Sequence, residues 1–170
     1  TGVDCDFVLM DAEKINCEKI FDVIWSIESI SHYKDKKNFF NNIVRFLKPG
    51  GTMAIIDWFK KDDITEDKNK KYISPIEKGM LVQLHTMADY ISMLEQNNLK
   101  ILKSEDISRN TAKTWDISLE IIKNKMFWQL ALKNSKDFLN FLKSFKAMKA
   151  GFSSGSFVYG MIIAQGITNE

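Results

Sequence analysis

Apolar residues in this chain come in short unbroken runs, and between the runs they recur every three or four positions, the pattern of strands alternating with amphipathic helices. Phe7-Val8-Leu9-Met10 is the first run, closed by Asp11-Ala12-Glu13, and it predicts a buried strand that delivers an acidic side chain at its carboxyl end. Phe21-Asp22-Val23-Ile24-Trp25-Ser26 repeats the pattern and is followed by Glu28, Ser29, Ser31 and His32, so a second strand ends in chemically useful groups. Trp25, inside that strand, is expected in the core. Asp35 is placed to cap a helix reaching about Leu47, with Phe39, Phe40, Ile43, Val44 and Leu47 on one face and Lys and Asn on the other. Lys48-Pro49-Gly50-Gly51 stops it, and residues 52–58 follow as a further apolar strand with Asp57 and Trp58 at its end. Strand, helix, strand, with both strands apolar on both faces, predicts a parallel sheet with a right-handed crossover.

Residues 60–71 are dense in Lys and Asp and read as an exposed, mobile loop. Thr86 opens another helix, with Asp89 in the position of a capping-box acid and Tyr90, Ile91, Met93 and Leu94 as its apolar stripe. His85, just before it, reads as a local hydrogen-bonding residue. Residues 99–107 and 157–165 read as two further strands. Helical character fills the stretch between them, with Phe138, Leu139, Phe141, Leu142, Phe145 and Met148 on one apolar face and Trp115, Ile117, Ile121, Ile122 and Phe127 suggesting another. Residues 109–150 are therefore expected to form a helical cap, which packs on the core or lines an apolar acceptor pocket above the strand ends.

With 170 residues, 45% of them hydrophobic, the chain can bury one core, and a single α/β domain over 1–170 is the default. Lys plus Arg (24) nearly balance Asp plus Glu (22), and no basic stripe interleaves with aromatics, so nucleic acid is not expected as a partner. The apolar run at 157–165 is well short of the roughly 20 residues of a membrane span. The acidic opening is no signal peptide, and a cytoplasmic protein is expected. Cys5 and Cys17 lack a metal-ligand spacing and read as reduced, mostly buried thiols. No metal is expected.

The run FDVIWSIESISHYKDKKNFFNNIVRFLKPGGTMAIIDW resembles the segment from the fourth to the fifth strand of class I S-adenosylmethionine-dependent methyltransferases. It is most similar to the branch of the tocopherol, sterol and phosphoethanolamine methyltransferases. The strand with its acidic exit, a histidine four residues past Glu28, the LKPGG turn and the strand ending in Asp-Trp carry the likeness, and HTMADYISMLEQNNLKI extends it. The resemblance implies a Rossmann-like sheet, S-adenosylmethionine as cofactor and a small-molecule acceptor: tocopherol-, sterol- or quinol-like, or a small amine. It implies that Asp11, with Ala12, holds the adenine amino group, and that Ser26 and Ile27 lie beneath the methionine part of the cofactor. Glu28 and His32 match an acid and a histidine near the acceptor. If the two share one helical turn, the carboxylate can orient an imidazole that takes the acceptor's proton. Asp57 and Trp58, at a strand terminus, are candidate acceptor contacts.

One feature of that family is missing. Its members begin with a strand and a glycine-rich turn whose amides approach the cofactor, and the eight glycines here are scattered. Thr1-Gly2-Val3-Asp4 resembles the family's second strand, yet six residues separate Asp4 from Asp11, too few for the intervening helix. A sheet without its first strand exposes apolar edges. The expectation is thus a sheet incomplete on its amino-terminal side, completed by further sequence, by another chain, or not at all in a degenerate relative. A homo-oligomer or a chain supplying the first half is the partner this implies. The rival functions are a noncatalytic or partner-completed binding subunit, and a nicotinamide-dependent oxidoreductase, which would also need the glycine-rich turn.

Overall fold

In the computed structural model of the protein, the described residues are 2, 4–126, 128–129 and 136–167, without the side chains of 136–138. Thr1 and Val3 of the opening segment, Phe127, and the side chain of Phe138 lie outside them. The strands are β1 (Phe21–Ile27), β2 (Leu47–Lys60), β3 (Leu99–Asp106) and β4 (Phe157–Gly166). The helices whose bounds are given by the described residues are α1 (Lys36–Ile43), α2 (Glu66–Lys68), α3 (Ser74–Met80), α4 (Met87–Gln96), α5 (Ser108–Thr111), α6 (Lys113–Ile121) and α7 (Lys136–Ser153).

The sheet has the order β1-β2-β4-β3. β1 and β2 are parallel, as the apolar strand-helix-strand pattern requires, but β4 runs antiparallel to both β2 and β3. The sheet is mixed, which corrects the expectation of a parallel one. Apolar residues on both faces report burial and carry no sign of direction. The two faces follow from the strand period of two. Met53, Ile55 and Phe59 of β2, with Val158, Ile162 and Ala164 of β4, meet Phe39, Phe40 and Ile43 of α1 and Tyr90 and Leu94 of α4 in the main core. Burying each such side chain contributes about 1.5–3 kcal/mol. On the other face Trp58 and Phe157 pack with Ile73 and Ile76, Leu84, Trp115 and Met148 in a second core at the carboxyl end of β2.

Asp35 caps α1 by accepting from the amide of Asn38, and Thr86 and Asp89 form the full capping box of α4. The α1 helix is shorter than expected: a 3-10 turn (Val44–Phe46) follows it, and β2 begins at Leu47, with Gly50 at φ 71° and a register shift absorbing the LKPGG turn. Part of the expected 60–71 loop is helical, since α2 and a π-helical turn (Asn69–Ile73) run into α3. Residues 7–10 form no strand, and Phe7 (93% exposed) and Leu9 (104%) touch little. A strand exists by pairing, and among the described residues none pairs with the outer edge of β1. For the same reason Trp25, expected in the core, is 74% exposed. Cys5 is exposed, and Cys17, at the margin of the main core, is only partly buried.

The connection between β3 and β4 holds α5, α6 and α7. Trp115 and Ile122 are buried, whereas Ile117 and Ile121 point outward. α7 lies against α3 so closely that a Cβ built on Gly79 would sit 2.4 Å from the Cβ of Ser144. Gly79→Ala should therefore lower stability by about 1–2 kcal/mol, overpacking outweighing the gain in helix propensity. The urea midpoint measures this; an unchanged or higher midpoint would show that α3 and α7 separate without cost.

Candidate active site

The carboxyl ends of β1 and β2 and the start of β4 converge on one end of the sheet. Glu28, just past β1, has φ 49°, a left-handed backbone that a residue with a Cβ adopts at a cost of about 1–2 kcal/mol. Its amide donates to the carbonyl of Ile56, 2.8 Å away, which fixes it to the edge of β2. Its carboxylate Oε1 accepts from the Tyr159 hydroxyl at 2.8 Å. Tyr159 stands directly opposite Trp58 in the β2–β4 ladder, so both rings lie on one face. That face floors a cavity of about 400 Å³ whose walls include Trp58, Met80, Trp115, Phe145 and Met148, with Glu28 and Tyr159 as polar lining. Desolvation, then the hydrogen bond to Glu28 and that group's charge, push the Tyr159 phenol far up, so it remains a donor at neutral pH.

Asp57 and Trp58 cannot share the cavity, because neighbours on a strand face opposite ways. Trp58 lines it; Asp57 is fully buried on the other face. The Asp57 carboxylate accepts the amides of Ser31 (2.9 Å) and Trp58 (2.8 Å). It thereby ties the 3-10 turn Ile30–His32 to the end of β2. Burial raises its pKa, and those donors and the Lys36 charge oppose the rise. Lys36, buried beside this turn, donates from Nζ to the carbonyls of Tyr33 (2.8 Å) and Ser31 (3.4 Å). Desolvation lowers its pKa to about 8 against the attraction of Asp57, Glu13 and Glu77.

The expected Glu28–His32 helical turn does not form. Glu28 is left-handed, Ser29 precedes the 3-10 turn, and the carboxylate reaches Tyr159 instead. His32 is exposed at the end of the turn, its ring 6.3 Å from that of Trp58. His85 is lowered in pKa by burial first, and its Nδ1 lies 3.8 Å from an oxygen of Asp89.

Asp11 caps the 3-10 turn Ala12–Lys14 by accepting from the amide of Glu13 at 3.0 Å, and its side chain is half exposed. Glu13 in turn accepts the amides of Lys34 and Asp35, which fastens Asp11 and Ala12 to the connection after β1. Ser26 is partly and Ile27 largely accessible at the end of β1. The segment and the strand end thus meet at the same end of the sheet as Glu28. Among the described residues no cluster of three potential metal ligands occurs, and no helix is long and apolar enough to cross a membrane.

Sequence reasoning missed Tyr159, Met80 and the depth of Trp115. The one local signal was Tyr159 itself, a hydroxyl-bearing ring in a strand otherwise of aliphatic residues, Phe, Met and Gly up to Ala164.

Residues 1–55 match the family model described as "Methyltransferase domain". The chain is 25% identical over 157 residues to the chloroplastic tocopherol O-methyltransferase of Arabidopsis thaliana, covering 85% of this chain and 43% of that protein. It is 30% identical over 148 residues to phosphoethanolamine N-methyltransferase 1 of Triticum aestivum, covering 86% of this chain and 29% of that one. Less than half the length of either relative is therefore spanned. Among solved structures, geranyl diphosphate methyltransferase in complex with S-adenosylmethionine superposes with a TM-score of 0.71 at 19% identity, over 93% of this chain and 56% of that one. The resemblance to tocopherol, sterol and phosphoethanolamine methyltransferases is borne out, and the fold is α/β and Rossmann-like, with a mixed sheet and helices.

The buried Lys36 makes a testable demand on stability. Its folded pKa is about 8 against an ordinary 10.5, so between those values the unfolded chain binds more protons and stability rises with pH. Urea unfolding of the wild type and of Lys36→Met across pH 8 to 10.5 should show the wild type gaining on the variant as pH rises. A constant difference would mean that Lys36 is not held away from solvent.

Proposed function

We propose that this chain, whose fold is that of the Rossmann-like methyltransferases, transfers a methyl group from S-adenosylmethionine to a small, partly apolar acceptor. The observation that carries the reading is the aromatic and methionine-walled cavity at the strand ends, with the Glu28 carboxylate held in its lining. Ligands of open α/β sheets bind at that end, and one cavity wall comes from α6 and α7, read as a cap over residues 109–150 within a single domain.

The residues at the end of β1 suit the cofactor. The Asp11 carboxylate is half exposed; one oxygen accepts the Glu13 amide and the other lies 3.5 Å from the exposed Lys14 ammonium, an arrangement that leaves acceptor capacity for an adenine amino group. Ala12 packs no bulk beside it. Ser26 and Ile27 offer accessible backbone where the methionine part would lie. When bound, S-adenosylmethionine supplies a methyl group on a cationic sulfur. The protein's part is to hold the acceptor in line, at about 3 Å from the methyl carbon, and to take the acceptor's proton. His32, exposed at the site's edge beside Trp58, and Glu28 are the groups read in that second role, and Trp58 is read as an acceptor contact.

Two measurements test this on the complete gene product. Asp11→Ala should weaken S-adenosylhomocysteine binding, followed by titration calorimetry, by about tenfold or more, the loss of one hydrogen bond to a charged group. Unaltered affinity would remove Asp11 from the cofactor site. Of His32→Ala and Glu28→Gln, the variant that removes the proton acceptor should lower kcat for transfer of a labelled methyl group to a tocopherol, a sterol or phosphoethanolamine, whichever is turned over, by about a hundredfold or more. Near-normal rates in both would remove that role from the pair.

A further inference from the structure

The cavity's lining discriminates among the acceptors that its relatives use. Its apolar walls are Trp58, Trp115, Phe145 and methionines, and its polar groups are the Glu28–Tyr159 pair and three neutral hydroxyl side chains. Among the described lining residues there is no Lys, Arg or His. A phosphate is recognised by cationic or convergent amide donors; here it would face a carboxylate. Glu28 is the one charged group of that lining. One of its oxygens already accepts the Tyr159 proton, which leaves the other to accept from a ligand.

We propose that this cavity takes an uncharged acceptor with an apolar body and a single hydroxyl, that Glu28 accepts that hydroxyl's proton, and that Tyr159 is the positioning residue that holds Glu28 toward it. The proposal rests on the acceptor-site reading above and narrows it, excluding anionic acceptors such as phosphorylated amines. The chemistry balances: the hydroxyl oxygen forms a bond to the methyl carbon, the carbon–sulfur bond breaks with its electron pair going to sulfur, and the proton moves to Glu28. Two separate features support the geometry. The left-handed Glu28 backbone is fastened to Ile56, and its side chain reaches Tyr159 of β4. The Trp58–Tyr159 pairing in the ladder sets the aromatic floor and the polar handle side by side.

The test uses 4-octylphenol and 4-octylphenyl phosphate, ligands with one tail and two heads, each titrated against the complete gene product below its micelle concentration and followed by tryptophan fluorescence. The phenol should bind at least about tenfold more tightly than the phosphate, since Glu28 repels a second negative charge and no cation among the described lining residues offsets it. Tyr159→Phe and Glu28→Gln should each weaken the phenol about tenfold, and the double variant should be little worse than either, as expected of groups acting as one unit. For transfer to a hydroxyl acceptor, Tyr159→Phe should also lower kcat more than it changes KM and move the acidic limb of the pH profile, a readout that a purely structural tyrosine would not shift. Equal binding of the two heads would overturn the class assignment, and this comparison needs no variant to fold. An unaltered pH profile in Tyr159→Phe would overturn the role of Tyr159. Phenol preference without methyl transfer to any hydroxyl acceptor would sink the catalytic reading and spare the cavity's preference. Efficient methyl transfer to phosphoethanolamine would do the reverse.

Discussion

A fully buried carboxylate at the end of a central strand has to be given donors, and how Asp57 obtains them shapes this end of the molecule. The amides of Ser31 and Trp58 serve, so the chain leaving β1 must fold back as a 3-10 turn over β2 before α1 can start. Lys36, in the first turn of α1, then lies close enough to lend charge while its ammonium caps carbonyls of the same turn. Removing one partner of such an arrangement strands the others without water, which is why buried polar groups of this kind hold geometry more firmly than their net energy suggests. The turn that presents His32, and the strand exit that presents Glu28, are built around that carboxylate.

The period of the strands does the rest. Asp57 and Gly160 face the main core, while Trp58 and Tyr159, one step along the same ladder, face the cavity. A Cβ on Gly160 would lie 2.7 Å from the sulfur of Met87 and 2.9 Å from the ring of Phe59. The residue opposite Asp57 must therefore be small for α4 to close over it. One register thus fixes a polar anchor below the sheet and an aromatic floor above it.

Much of this was legible in the sequence because it is local. The apolar runs located β1, β2, β3 and β4, and Thr86 with Asp89 announced the start of α4. The acidic strand exit at Glu28 was visible for the same reason. What failed was whatever depends on a neighbour. Residues 7–10 have the composition of a strand without a strand beside them, and Trp25 is exposed along the same unpaired edge. Strand direction leaves no mark in an all-apolar run, so β4 came out antiparallel unannounced. The Glu28–Tyr159 pair joins positions 131 residues apart, and no spacing rule reaches that far. The i,i+4 geometry that would have joined Glu28 to His32 assumed a helix that a left-handed residue forbids.

That left-handed residue decides what the site can be. A helical Glu28 would carry its carboxylate onto the face of His32, four residues on. The observed backbone costs about 1–2 kcal/mol and is held by two contacts from outside the segment, the Ile56 carbonyl and the Tyr159 hydroxyl. The carboxylate is thereby carried across the end of β2 to the lining of an apolar cavity, where it is hydrogen-bonded to Tyr159 and still reaches solvent. A charge placed there without a cationic partner favours ligands that bring a proton and disfavours those that bring a second negative charge. The strain and the selectivity are in this sense one feature: the left-handed φ goes with the one lining carboxylate among the described residues being held against Tyr159, on the surface where an acceptor would sit.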